Sequence, residues 1–420
     1  SREQVSRLRE SRTLARPPWD LVELSSEGKR HPGNRATMNS LQRFVRPMSL
    51  LFVNALSKLA AFVLLPLLTR TLSIDAFNQW VLAQTLFGVL PLLVALGLPA
   101  AMSNRFFGHA DVTEGDADIA AIGRMMALSA VIGLVSLGVV FALLARAWGL
   151  SITSAGALAL SIAAATLIQI PTTHLRLHQR TSALAGVQFA EFATTLGGIG
   201  GGLALDQSIE GALVGQALAQ TTLGTFSTWY LLRVLPAPST LRFASVRATA
   251  LPMVPHLLAN QAQSVVDRWC LGIHAPPTEL SRYAIASQLG APVSMVTGAW
   301  NETEAPRLGE RFRREGVRGL RNALKKHPFN YLLVGAGSAG LLLIGLPAIE
   351  WLLGKDFRSA TGLLPAVLAI AVFDALYFPA VNALFITGQT RTIPLVTITA
   401  AIIVTLLNLG LVGSLGASGA

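Results

Sequence analysis

The sequence is poor in charged residues and in cysteine. Only 13% of its 420 residues are charged, where a soluble domain carries about 25%, and 52% are hydrophobic. No single folded core can bury that much apolar surface, so the composition excludes an ordinary soluble protein and indicates lipid as the solvent. The one cysteine, Cys270, lies in an apolar stretch and excludes an intrachain disulfide or a cysteine metal cluster. We interpret it as a small buried hydrophobic residue.

Sequence signals of chemistry are also missing. The chain has no Walker-type glycine loop, no zinc-protease motif and no soluble loop long enough for a catalytic domain. We therefore expect no enzyme and no cofactor, and energy from an ion gradient or from downhill flow of the substrate. The 33 basic residues outnumber the 22 acidic ones, but they form short clusters between apolar runs. That pattern predicts membrane orientation rather than a nucleic-acid partner.

What the sequence does contain is a series of long apolar runs. A bilayer core about 30 Å thick requires about 20 apolar residues per helix, and lipid leaves the backbone no partners outside the helix. The runs predict an all-α polytopic transmembrane bundle with eleven spans, at about residues 47–68, 77–97, 121–144, 154–173, 182–205, 210–232, 250–272, 280–305, 331–353, 362–386 and 393–415. The fifth is rich in glycine, which predicts a close approach by a neighbouring helix.

The distribution of Lys and Arg predicts the orientation. The N-terminal arm and every second connection hold 26 of the 33, and the opposite connections hold five. The N-terminus is therefore expected in the cytoplasm. Residues 1–46 are polar and Arg-rich, so we expect disorder there, with a native start close to Met38. The odd count places the last residues outside, where they resemble the approach to a missing twelfth helix.

Two stretches carry a family resemblance. The first runs from Asn54-Ala-Leu-Ser-Lys58 through Pro66-Leu-Leu-Thr-Arg70 to Gly97-Leu-Pro-Ala-Ala-Met. The second joins Asp267-Arg268 through a short loop to Tyr283-Ala-Ile-Ala-Ser-Gln288 and Trp300. Together they resemble the bacterial polysaccharide flippases, the O-antigen and exopolysaccharide translocases of the multidrug/oligosaccharidyl-lipid/polysaccharide exporter superfamily. Departures from the family pattern are Gln79-Trp80 and Asn301-Glu302.

The resemblance implies a fold, a location and a substrate. It implies two pseudo-symmetric six-helix lobes, here 47–232 and a truncated 233–420, in the bacterial inner membrane. It also implies that the protein flips an undecaprenyl-diphosphate-linked oligosaccharide to the outer leaflet by alternating access. The expected partners are that lipid-linked substrate, membrane lipid and the polysaccharide assembly machinery.

Charged residues inside the predicted spans are the candidate site. A charge at mid-bilayer costs about 2.5–3.5 kcal/mol, so such residues usually face a cavity or a partner. Lys58 in the first span could hold a lipid diphosphate, or could pair with a neighbouring helix. Arg268 could present a guanidinium fork to phosphate with Asp267 holding it in place, although a structural bridge between helices explains the pair equally well.

Three further polar residues lie deep in the predicted spans. Glu191 and Asp374 could titrate and couple proton or sodium movement to transport, or could simply form structural hydrogen bonds. His256 stands between Pro255 and Asn260 and could line a bent-helix site, or be a packed neutral histidine. His174 and His178 alternate with Arg176 and Arg180, a spacing we interpret as headgroup contact, and we expect no metal. The basic segment 307–326 is expected to be a helix lying at anionic headgroups.

Three rival functions remain open. A cation-coupled multidrug antiporter of the same superfamily would favour carboxylates over Lys58 and Arg268 in the cavity. A membrane glycan polymerase or ligase would need a large polar outer loop, and the longest outer connection here has only about ten residues. A noncatalytic membrane scaffold would use its deep charges for packing alone.

Overall fold

The computed structural model describes residues 60–109, 111–263, 265–387 and 392–420. Over these ranges the chain is helical and contains no β-strand, which confirms the all-α prediction. Lys58, Met38 and the arm 1–46 lie outside the described residues. The predictions made for them stay predictions.

The N-terminal half, residues 60–235, consists of seven helices, and serine hydroxyls cap several of them. Ser73 accepts a hydrogen bond from the Ala76 amide at 3.3 Å, and Ser151 accepts one from the Ser154 amide at 3.0 Å. Such caps satisfy amides that the first turn leaves free, which fixes where a helix begins. The helices are α1 Ala60–Thr71, α2 Ile74–Val94, α3 Leu98–Gly108, α4 Val112–Leu144, α5 Ile152–Leu177, α6 Thr181–Leu205 and α7 Ile209–Val234.

Helices α6 and α7 touch through their backbones. A Cβ at Gly202 would lie 1.9 Å from the Gly211 carbonyl oxygen, and one at Gly215 would lie 1.9 Å from the Gly198 carbonyl oxygen. Only glycine permits that separation. The close approach predicted from the glycines of the fifth span is therefore confirmed, and we refer to these four residues as the glycine seam.

The C-terminal half, residues 253–420, is more interrupted. The predicted span 250–272 is divided into two helices, and so is the span 362–386, which breaks after Asp374. A short helix, α8, joins the two halves. The elements are α8 Phe243–Ala250, α9 Met253–Gln263, α10 Val266–His274, α11 Pro277–Ile344, α12 Leu346–Leu352, α13 Leu364–Asp374, α14 Tyr377–Ile386 and α15 Thr392–Leu415, with 3-10 turns at Lys355–Leu363 and Gly416–Ser418.

Helix α11 folds back on itself at Gly316, whose φ of 62° is left-handed. The Tyr331 hydroxyl donates to Asn301 Oδ1 at 2.8 Å, and His327 Nδ1 lies 3.5 Å from Glu304 Oε2, so the two arms run antiparallel. The basic segment 307–326 therefore forms the adjoining ends of two long helices. The segment is helical and joins the spans on either side, as predicted, and its position at the headgroups stays a prediction.

Six helical stretches in the described residues are long and apolar enough to cross a bilayer. They expose large apolar side chains, including Leu128, Val131 and Val135 of α4. Lipid is the solvent that suits such a surface. The stretches are Ile74–Val94, Val112–Leu144, Ile152–Leu177, Arg307–Ile344, Lys355–Ile386 and Leu395–Ser418. The count of eleven spans stays a prediction, because the other predicted spans fall on shorter or less apolar helices.

The two halves pack together at the end that the charge pattern predicts to face outside. The Asn78 side chain donates to the Pro277 carbonyl at 2.7 Å, and the Gly354 amide donates to Thr69 Oγ1 at 3.2 Å. Beside them the rings of Phe77 and Phe357 lie 5.1 Å apart, both buried. We call this set, together with the hydrogen bond from Arg70 to the Trp351 carbonyl at 3.0 Å, the outer contact.

Candidate functional site

A cavity of about 240 Å³ lies within the N-terminal half and has one lining residue from the C-terminal half. Helices α1, α2, α6 and α7 supply most of its wall, and Gln288 of α11 completes it. We call it the central cavity. Its lining residues are Ala60, Ala61, Leu64, Leu68, Trp80, Gln84, Phe87, Glu191, Phe192, Thr195, Ile199, Gln216, Gln220 and Gln288.

Four glutamine side chains give the central cavity its polarity. Gln84 Nε2 donates to Gln216 Oε1 at 2.8 Å, which joins α2 to α7. The side-chain oxygens of Gln220 and Gln288 are buried and have no hydrogen-bond partner among the described residues. A buried polar atom left unpaired costs about 1–3 kcal/mol, so these oxygens are ready to accept a hydrogen bond from a hydroxyl or an amide of a bound molecule.

Glu191 supplies the one carboxylate in this lining. It lies on α6 one turn from Thr195, is half-buried, and has no ion-pair partner in the part of the chain that the structure describes. A carboxylate in such a place can accept hydrogen bonds from a substrate or take up a proton. Of the residues predicted from the sequence, it is the one that the described structure brings into the central cavity.

Asp267 and Arg268 lie on α10, outside that lining. Asp267 accepts a hydrogen bond from the Tyr283 hydroxyl and another from the Arg268 backbone amide at 2.8 Å. Its oxygens are thus engaged by α11 and by its own helix, and the described contacts do not include the Arg268 guanidinium. The Asp-Arg and Tyr-x-x-Ala parts of the sequence motif are therefore joined directly, as a link between α10 and α11.

The other predicted residues lie apart from the central cavity or outside the description. Asp374 ends α13 and is exposed. His256 belongs to α9, but its side chain is outside the described residues, as is Lys58. A substrate role for Lys58, Arg268, Asp267 and His256, and a coupling role for Glu191 and Asp374, stay predictions.

Sequence reasoning missed the glutamines and one cluster. The glutamines all fall inside predicted spans: Gln84, Gln216, Gln220 and Gln288. Lipid offers no hydrogen-bond partner to an uncharged polar side chain, so their presence in the spans was a signal that they face a polar cavity. The cluster joins Asp116 to His174 and His178. The interpretation of the two histidines as alternating was wrong, because they are four residues apart and so share one face of α5.

Membrane-length helices around a cavity lined by glutamines and one carboxylate define a multi-pass membrane protein. A family model described as polysaccharide biosynthesis protein matches residues 47–309, which is more than half of the sequence. The chain therefore belongs to the polysaccharide biosynthesis protein family, which confirms the resemblance drawn from Asp267-Arg268 and Tyr283. A protein of the Lsg locus of Haemophilus influenzae is 21% identical over 358 residues, 83% of this chain and 86% of that protein.

Solved structures show the same fold. An inward-facing multidrug resistance transporter of the MATE family and MOP superfamily matches with a TM-score of 0.69 at 13% identity, over 90% of this chain and 92% of that one. The lipid II flippase MurJ in an inward closed conformation matches with a TM-score of 0.66 at 15% identity, over 90% and 83%. The prediction of a transmembrane helical bundle is confirmed at the level of the fold, and its division into lobes at 47–232 and 233–420 stays a prediction.

Proposed function

We propose that this protein carries a lipid-linked oligosaccharide, of the undecaprenyl-diphosphate type, from the cytoplasmic to the outer leaflet of the bacterial inner membrane. The observation that carries the proposal is the set of amide groups in the central cavity of a protein of the polysaccharide biosynthesis family. Sugars present many hydroxyl groups, and the free oxygens of Gln220 and Gln288 accept hydrogen bonds from such donors. The apolar tail of the substrate stays in the bilayer.

Movement of the two halves provides the transport step. The outer contact joins them in the present arrangement, so a substrate in the central cavity can leave to the outside only after those contacts open. The side-chain hydrogen bonds of the outer contact are each worth about 1 kcal/mol net, small enough to break and reform during a cycle. In alternating access, the outer contact opens and the two halves form a new contact at the cytoplasmic end.

The diphosphate and the coupling ion are assigned to charged residues. Lys58 and Arg268 are the two cations that fall inside the spans predicted from the sequence. We assign Lys58, with Arg268, to the anionic group. Glu191 takes up the proton or sodium ion that resets the carrier, with Asp374 as a second titrating group.

Complementation tests this function. In a strain that lacks its own flippase, the full-length protein is expected to restore surface polysaccharide, as measured by immunoblot of surface glycan. Gln220→Leu and Gln288→Leu each remove about 1 kcal/mol of binding, about a fivefold loss of export at limiting expression. Gln207→Leu, in an exposed turn before α7, is the matched control and retains export. Failure to restore any glycan with any donor gene cluster refutes the proposal.

A second candidate is a cation-coupled multidrug antiporter, and Glu191 is the observation that favours it. A lone carboxylate in an otherwise uncharged lining suits an organic cation. Ethidium efflux from cells carrying the protein separates the two functions. Efflux that disappears in Glu191→Gln, without any restored glycan, favours the antiporter. A membrane scaffold predicts neither activity.

A further inference from the structure

Three side chains converge beyond the central cavity, at the end of the N-terminal half that the charge pattern predicts to face the cytoplasm. His178 Nε2 lies 2.7 Å from Asp116 Oδ1, and His174 Nε2 lies 3.5 Å from the same oxygen. The two imidazole rings are 4.4 Å apart between centroids. One ligand atom from each residue falls within 4.8 Å of the other two.

Helix geometry explains the convergence. His174 and His178 are four residues apart at the end of α5, so they project from the same face. Asp116 lies in the second turn of α4, which packs against α5 and presents the carboxylate between the two rings. The ring of Phe106, 5.0 Å from that of His178, covers the outer side of the group. The three residues belong to two different helices and meet only in the fold.

His174 is the member whose hydrogen bonding is incomplete. It is only 7% exposed, and its Nδ1 is buried without a partner among the described residues. Its Nε2 is 3.5 Å from the carboxylate, longer than the 2.7–3.2 Å of a good hydrogen bond. A metal ion held by Nε2, the Asp116 carboxylate and His178 would replace this weak contact, and the Nδ1–H would then need an acceptor outside the ligand set.

Space for a ligand lies next to the cluster. A second cavity, of about 600 Å³, is lined by Asp116, His174 and His178 together with Arg180 and Tyr230. Three protein ligands on one side and a cavity on the other leave one coordination position for water. The positive charge of Arg180 repels a cation only weakly, because that side chain is exposed and solvent screens its charge.

We propose that Asp116, His174 and His178 bind a divalent first-row metal ion of the Zn²⁺ type and so link α4 to α5. Two imidazoles and one carboxylate form a ligand set that suits such ions rather than Mg²⁺ or Ca²⁺, which prefer oxygen ligands alone. Ligand atoms on a tetrahedral Zn²⁺ at 2.0–2.1 Å lie about 3.3 Å apart. The distances from Asp116 Oδ1 to the two histidine nitrogens, 2.7 and 3.5 Å, bracket that spacing, and all three ligand atoms lie within 4.8 Å of one another.

The test is a metal titration of the full-length protein, purified without a polyhistidine tag and reconstituted in nanodiscs. Zn²⁺ in competition with a chromophoric chelator is expected to bind at one equivalent, and excess Mg²⁺ is not expected to displace it. Co²⁺ in its place is expected to give the visible absorption of a four-coordinate ion. Wild-type protein that takes up no stoichiometric Zn²⁺ overturns the proposal without any variant.

Variants locate the site. Asp116→Asn, His174→Gln and His178→Gln keep the size of each side chain, and each is expected to weaken Zn²⁺ binding at least tenfold, since even residues that only support a ligand contribute about 10- to 100-fold. His274→Gln, at the exposed far end of α10, is the matched control and retains full affinity. Zn²⁺ is also expected to raise the unfolding temperature of the wild type but not of the three variants. Equal affinity in a folded His174→Gln protein refutes the assignment.

Discussion

At the scale of single residues, the hydrogen bond between Tyr283 and Asp267 explains the most specific motif of the sequence. Both residues are partly buried, and the bond joins the start of α10 to the second turn of α11. Sequence reading placed Asp267 beside Arg268 as a phosphate site because it considered neighbours along one helix. The true partner is 16 residues away along the chain, on the following helix.

Tyr283→Phe is expected to destabilise the protein by about 1–3 kcal/mol, because it leaves the Asp267 carboxylate short of a donor in a partly buried position. Thermal unfolding in detergent measures this. Tyr377→Phe, an exposed tyrosine on α14, is the control and is expected to change little. In a double-mutant cycle, Asp267→Asn combined with Tyr283→Phe should cost less than the sum of the two changes. Full additivity contradicts the link.

His109 is expected to make the stability of the folded protein depend on pH. It lies in the turn between α3 and α4, where Asp118 at 3.0 Å and Glu114 at 3.2 Å raise its pKa above the ordinary 6.5, chiefly through the hydrogen bond to Asp118. A raised pKa in the folded state stabilises the protein fully below pH 6.5 and loses that stabilisation as the pH rises through the folded value. Unfolding temperature is therefore expected to fall above neutral pH, and to fall less in His109→Gln. An identical pH profile in that variant contradicts the assignment.

At the scale of helices, the glycine seam determines how α6 and α7 pack. Gly202→Ala would place a methyl group 1.9 Å from the Gly211 carbonyl oxygen. Such overpacking costs about 1–3 kcal/mol or more, and we expect a lower unfolding temperature and reduced export. Gly197→Ala lies on the same helix, where an added Cβ meets nothing within 4 Å, and should be neutral or stabilising by up to about 1 kcal/mol. If both substitutions behave alike, the seam does not determine the packing.

Much of the helical structure could be predicted from short stretches of the sequence. Apolar runs located the helices, and glycines located the close approach of α6 and α7, because each signal lies within one segment. The contacts of Gln84, Gln220 and Gln288 could not be predicted, since they come from α2, α7 and α11 and depend on how distant helices are oriented. The same holds for Asp116 and the two histidines, although their spacing on α5 was readable.

At the scale of the whole molecule, the outer contact joins the two halves at one end, and in the proposed function it closes the transport route there. We expect Arg70→Cys with Trp351→Cys, in a Cys270→Ala background, to be joined by a short methanethiosulfonate cross-linker, because Arg70 bonds to the Trp351 carbonyl at 3.0 Å. Cross-linking should lower the rate of glycan export at least tenfold, and cleavage of the cross-link with a thiol reductant should restore the rate. Each single cysteine with the same reagent is the control. Continued export by the cross-linked protein contradicts the role of this contact.

The family resemblance predicts two lobes at this scale, and the charge pattern predicts which end of the bundle faces outside. Neither could predict which residues meet there. Phe77 and Phe357 are far apart in sequence and lie in different halves, so their packing follows from the assembled fold.

The glycine seam has a mechanical consequence. Glu191 lies on α6, and Gln216 and Gln220 lie on α7, while the seam joins the same two helices by direct backbone contact. Backbones in contact at that distance cannot slide past each other without steric collision, so α6 and α7 are expected to move as one unit. In the proposed function, the carboxylate and the amides of these two helices then meet the substrate as one template, and Gln288 on α11 is the lining residue left to adjust to different sugars.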